Sequence, residues 1–269
     1  MALREDNMKR FLYYTKIWWL LNIKYFLPVL AQNWTFLVFL IGKIIRFVFF
    51  GFFIFFLVGG SKTLAGYDLN QALFFYITFF LIDTLSQFLF REVYKFRPQI
   101  VSGSFDLTLL KPMNPLFRVL MGGADVIDLI TLIPLLYLVF HYGFLLGPSS
   151  IEVILYILLV LNGLIIACAF HIAVLAMGIV TLEIDHTIMI FRDLESLARF
   201  PVDIYKQPLQ GILNYVLPIG IMITLPAKAM MGLVNIWGLL ASFLVGLISI
   251  FLALRFWDFA LTKYTSASS

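Results

Sequence analysis

Apolar and polar residues alternate along this chain in long blocks. Five mainly apolar runs lie at roughly 36–58, 70–90, 119–142, 151–180 and 235–257. Each reaches the roughly 20 residues that an α-helix needs to cross a bilayer. Polar residues gather in the first 33 residues, in 91–118 and in 181–208. The pattern predicts an all-α integral membrane protein of spanning helices joined by short connectors.

The connectors predict an orientation. The N-terminal segment carries Arg4, Lys9, Arg10, Lys16 and Lys24, and loop 91–118 carries Arg91, Lys95, Arg97, Lys111 and Arg118. Loop 59–69 has only Lys62, loop 143–150 has no Lys or Arg, and the tail has Arg255 and Lys263. Basic residues collect on the cytoplasmic side, so both termini and loop 91–118 are expected inside. That requires an even number of spans, and six is the expected count.

Residues 8–31 do not read as a span. Lys9, Lys16 and Lys24 fall within about 80° of helical arc, with Phe11, Trp18, Leu21 and Tyr25 toward other faces. This favours an interfacial helix ended by Pro28 over a frayed basic tail. No cleavable signal peptide is expected, because charges and aromatics interleave where a short apolar core would lie.

Region 181–234 admits two readings. Hydropathy gives a cytoplasmic loop 181–208 and a span 209–231. Pro201, Pro208, Pro218 and Pro226 argue against it. The pieces between them, 209–217 and 219–225, are only about 14 and 10 Å long as helices, against a core of about 30 Å. The favoured reading makes about 203–234 a broken re-entrant hairpin and about 184–202 the fifth span. That span would carry Arg192, Asp193, Glu195 and Arg199, with Arg192–Glu195 and Glu195–Arg199 spaced to pair along a helix. The expected organisation is a cytoplasmic segment 1–33, a membrane domain 34–258 and a short tail 259–269.

Composition agrees with a lipid solvent. The chain is 62% hydrophobic and 13% charged, with mean hydropathy +0.99, where a soluble domain has about half its residues apolar and a quarter charged. With six spans expected in 269 residues, no soluble catalytic domain is expected beside them. Cys168 sits in an apolar run and reads as a core residue. The basic excess, 19 against 15, reads as topology and not as nucleic-acid binding.

No catalytic residues and no metal site are expected. His141, His171 and His186 lie on different segments without ligand spacing, and no nucleotide-binding loop occurs. Two other groups carry chemistry. Lys43, Arg46, Asp83, Asp125 and Asp128 would lie at similar depth in the inner half of the bilayer. Unpaired charges there cost several kcal/mol each, so mutual pairing is the favoured reading. An anionic headgroup site and snorkelling of Lys43 and Arg46 are the alternatives. Arg192, Glu195 and Arg199 are candidates for lining a pathway. In loop 91–118, Gly103 with Ser102 and Ser104 predicts a turn, and Lys111-Pro112-Met113-Asn114-Pro115 stops a short element. About nine residues lie between Gly103 and Pro112, two helical turns. Phe105, Leu107, Leu109 and Leu110 are expected to stay exposed until a partner covers them.

The runs SGSFDLTLLKPMNPLF and ARFPVDIY…VLPIGIMITLPAKAMMG resemble the membrane permease subunits of ABC transporters of the type-two exporter class. The similarity is greatest to the branch with G-x-x-D-x-x-L-x-K-P-x-N-P after the second span and R-[FY]-P-x-x-I-Y before the last. The resemblance covers nearly the whole chain. It implies a coupling helix within 98–115 that docks a separate ATPase, with Gly103, Asp106, Leu110, Lys111, Pro112 and Pro115 as the matching positions; on the reading of exposed apolar residues, Phe105 and Leu109 would be the anchors. It also implies a second permease subunit, ATP and Mg²⁺ held by the partner and not by this chain, and residence in a bacterial inner membrane. A standalone secondary transporter is the first rival, but it would show a broken helix in each half, and the prolines gather only in the second. A membrane-embedded lipid-metabolism enzyme is the other, and only the aspartates come near the acidic cluster it would need.

Overall fold

A computed structural model describes residues 2–31, 33–182 and 184–265. Its elements are helical: α1 (Ala2–Ala31), α2 (Asn33–Ser61), α3 (Leu69–Phe90), a 3₁₀ turn Arg91–Lys95, α4 (Phe96–Val101), α5 (Ser104–Leu109), α6 (Pro115–Met121), α7 (Val126–Leu145), α8 (Ser150–Thr181), α9 (Ile184–Ser196), α10 (Leu209–Gly211), α11 (Leu225–Met230) and α12 (Ile236–Lys263). Five helices are long and apolar enough to cross a membrane, and a bent pair, Leu209–Val216 with Gly220–Met230, makes a sixth candidate at an angle of 77°.

Local chemistry sets the helix starts. Asp68 and Gln71 cap α3 reciprocally, and Ser149 and Glu152 do the same for α8. Asn235 caps α12 and Asp125 caps α7. α3 is the central helix, with 78% of its apolar stretch buried inside the chain. α2, with 6%, is the outermost of the long helices. α12 lies along α8, where Asn162 donates to the Ser242 carbonyl at 3.0 Å and hydroxyl at 2.9 Å. Gly246 permits this approach, because a Cβ there would collide with the Asn162 side chain.

Side-chain contacts define two ends of the bundle. The basic end holds 91–118, α1 and the C-terminal end of α12. The hairpin end holds loops 59–69 and 143–150. Asp185, at the start of α9, pairs with Arg97 at 3.3 Å, while Asp203 accepts from the Tyr67 hydroxyl at 2.9 Å. Segment 184–204 therefore runs from the basic end to the hairpin end. The bent pair leaves the hairpin end and returns to it. Its bend at Val216 and Pro218 borders a cavity shared with Phe170 and Ala253, its second limb passes Met222 against Gly163, and Gly232 sits beside Glu152. Lys228 pairs with Asp203 at 2.7 Å and ties the returning limb to the end of the preceding segment.

Three expected boundaries are corrected. Pro28 does not end α1, which runs through it to Ala31; the carbonyl at Lys24 that Pro28 leaves without a donor lies on an exposed stretch. The third span starts at Val126 and not near 119, because Gly122 and Gly123 interrupt the helix and Asp125 caps a new one. The helix begun at Ile184 stops at Ser196, and 3₁₀ turns at Leu197–Arg199 and Val202–Ile204 carry the chain onward.

Candidate functional site

At the basic end, loop 91–118 folds into short helices. α4 ends at Ser102, and Gly103 takes the left-handed conformation at φ 70° that reverses the chain into α5. α5 spans six residues, shorter than the nine expected. Its side chains divide by helical face. Phe105 is fully buried and not exposed as expected. Its ring meets Phe96, Tyr264 and Trp257 edge-on at 5.0, 5.1 and 6.4 Å. Leu107 and Leu110 point outward at 63% and 81% exposure, and Leu109 is less exposed. Lys111 and Pro112 are exposed as well. Asp106 accepts from the Tyr264 hydroxyl at 2.8 Å. Burial, then this carboxylate, push that hydroxyl up to about 12, so it remains a donor. The loop is thus keyed to the foot of α12 through Phe105 and Asp106.

α1 braces the same loop. The Tyr14 hydroxyl accepts from the Asn114 backbone at 3.1 Å, and the Tyr13 hydroxyl faces the Pro112 carbonyl at 3.4 Å. Pro115 opens α6 beneath them, at a position where a missing N–H costs nothing. Deeper in, Glu92 is buried and holds three partners: Arg118 at 3.0 Å, the Tyr25 hydroxyl at 2.9 Å and Lys95 at 3.4 Å. Asn22 accepts from the Ala124 backbone at 2.6 Å. Glu92 escaped sequence reasoning. An acidic residue among loop cations reads as solvated, and only the fold brings α1 over it.

The second group lies inside the bundle. Lys43 pairs with Asp128. Arg46 reaches Asp83 at 4.0 Å. Asp125 pairs with Arg91 at 3.5 Å, a partner not anticipated. These residues, with Gln87 and Arg192, line a vestibule of about 580 Å³. A second polar cavity of about 310 Å³ shares Arg46, Asp83 and Arg192 with it and adds Glu195 and Arg199. The candidates on α2, α3, α7 and the 192–199 stretch therefore form one charged tract.

The intrahelical pairs expected of Glu195 do not form. Arg199 sits in the 3₁₀ turn, where the i, i+4 geometry is lost. Its guanidinium lies over Phe50 at 5.4 Å and Phe79 at 5.7 Å. Glu195 is buried with one carboxylate oxygen unpaired. Both cavities are places where water or a polar ligand would satisfy groups the protein leaves open.

A bundle of long apolar helices, with a charged interior tract and a folded loop at one end, is a polytopic membrane protein with a candidate site among its helices. The sequence profile of the ABC-2 family transporter proteins matches residues 43–268, most of the chain, and the chain belongs to that family. It is a membrane permease component of an ABC transporter. Comparison with curated proteins and with solved structures finds no match.

Proposed function

We propose that this chain is the permease of an exporter, that it works as a pair with a second permease subunit, and that a separate ATPase docks on loop 91–118. ATP and Mg²⁺ would be held by that ATPase. On this reading the basic end is cytoplasmic, with both termini, in a bacterial inner membrane. Segment 184–204 is the fifth crossing, and 209–230 is re-entrant from outside. The charged tract through Arg192, Glu195 and Arg199 lines the pathway.

The observation that carries the docking assignment is the division of α5 into two faces. Phe105 and Asp106 fasten the loop to α12, while Leu107 and Leu110 are left uncovered at the basic end. Apolar anchors of this kind commonly supply much of a binding energy. Leu107→Asp with Leu110→Asp is expected to abolish co-purification of the ATPase while the permease keeps its size-exclusion profile. Phe105→Ala acts differently. It empties a buried ring site, at about 3–5 kcal/mol, and lowers thermal stability before it touches binding. Unchanged ATPase binding in the Leu107/Leu110 variant would remove the docking assignment.

A further inference from the structure

Two apolar chambers lie between α2 and the helices α3 and α7. The first, of about 210 Å³, is bordered by Lys43 at one end and by Phe47 and Leu138 at the other. The second, of about 290 Å³, adjoins it at Phe47 and Leu138 and extends past Gly51 to Phe55. Lys43 also borders the charged vestibule. A polar space and an apolar crevice therefore follow one another along one face of α2. From Lys43 to Phe55 the helix advances about 18 Å at about 1.5 Å per residue. One leaflet of a core of about 30 Å is about 15 Å deep. The crevice is long enough for one lipid tail, and counted from the start of the apolar run at 36 it begins about 10 Å inside that core, so a lipid seated in it is drawn inward from its leaflet. At Gly51 a Cβ would meet only the Tyr76 ring, at ordinary contact distance, so the missing side chain there leaves width and not a collision.

Charge selects the headgroup. Lys43 and Arg91 are each committed to an aspartate. Arg46 is held loosely, at 4.0 Å from Asp83 with nearly half its side chain exposed. Arg192 lines the same space, faces the Tyr94 hydroxyl and feels the carboxylates of Asp83 and Glu195 across the neighbouring cavity, but is in no ion pair among the described residues. Guanidinium groups bind phosphate oxygens through paired, charge-assisted hydrogen bonds. An anionic phosphate at this place would satisfy Arg192 and Arg46 together.

We propose that the vestibule and crevice bind one anionic glycerophospholipid of the surrounding membrane, with its phosphate at Arg46 and Arg192 and one acyl chain between α2 and α3. The site does not depend on the ATPase assignment, and its test needs no ATPase. The full chain is placed in nanodiscs containing phosphatidylglycerol with a photoreactive group midway along one tail, and cross-linked peptides are mapped. A parallel sample carries diacylglycerol with the same tail and no phosphate.

The phosphatidylglycerol probe is expected to label peptides containing Phe47 and Tyr76 about tenfold more than the phosphate-free probe, the factor that one charge-assisted hydrogen bond supplies. Arg192→Gln removes the difference, and Arg192→Lys, which keeps the charge and loses the paired geometry, retains only part of it. Gly51→Phe, with Leu138→Trp as a second filler, removes crevice labelling while leaving that of the lipid-facing Leu247 and Phe251 on α12 unchanged, which reports intact folding. Equal labelling by both probes would mean the crevice holds bulk lipid, and absent labelling with α2-to-α2 cross-links would mean a second copy fills it. Either result overturns the proposal.

Discussion

Lys43 and Asp128 meet at the wall of the vestibule and are largely covered, with side-chain exposures of 17% and 7%. Removing one partner leaves a charge with no counter-ion, whereas removing both leaves none, so the two losses should not add. Lys43→Met or Asp128→Asn alone is expected to cost up to about 3 kcal/mol, and the double variant less than either, as read by thermal unfolding in detergent. A double variant as unstable as the sum of the singles would dissociate the pair energetically. That these charges would gather was legible from their spacing along the apolar runs. Their partners were not, because pairing depends on the relative rotation of α2, α3 and α7. Arg91 in particular sits at a helix end that the sequence assigns to a loop, so its reach to Asp125 had no sequence signal.

Among the elements, α1 is held to the loop chiefly by the Glu92 cluster and by Tyr13, Tyr14 and Asn22. Glu92→Ala would leave Arg118 without its buried counter-ion and remove the acceptor for Tyr25. Amide hydrogen exchange should then rise in α1 and in 110–118 by about tenfold or more, the factor expected for about 1–2 kcal/mol of local opening, with α8 and α12 unchanged. Equal exchange in wild type and variant would mean that α1 is held by its apolar contacts alone. The basic stripe predicts a helix over this segment but not its seat. The residues that seat it, Tyr13, Tyr14, Asn22 and Tyr25, carry no periodic signal against a face that only the folded loop creates. The same limit explains Phe105. Within a six-residue helix, which apolar side chain turns inward is set by Trp257 and Tyr264, more than 150 residues further along.

The whole molecule has an orientation that labelling can read. The two ends differ in basic residues, and the chain reaches the hairpin end at 59–69, 143–150 and 203–209. Cysteines replacing Lys62, Ser149 and Lys206 should all react in intact cells with an impermeant thiol reagent, and one replacing Ser104 should react only after lysis. Lys206 is the informative position. Reaction there from the cytoplasm alone would make 209–230 an ordinary span and return 184–204 to a loop. The prolines flagged this region because each forbids a backbone donor. Pro201 also holds Phe200 extended and so ends the helical run at Arg199; what the prolines could not convey is that the run tightens into a 3₁₀ turn after Ser196.

The attachment of Phe105 and Asp106 to α12 has a mechanical consequence. α12 is an unbroken rod of 28 residues, about 42 Å from foot to head. Its foot is gripped by the loop, and its upper half lies along α8. Because ring-on-ring packing yields little to compression, a push on α5 has no soft joint in which to dissipate. Any displacement of α5 would therefore be felt first at the foot of α12, at Trp257 and Tyr264, and carried along the face that α12 shares with α8.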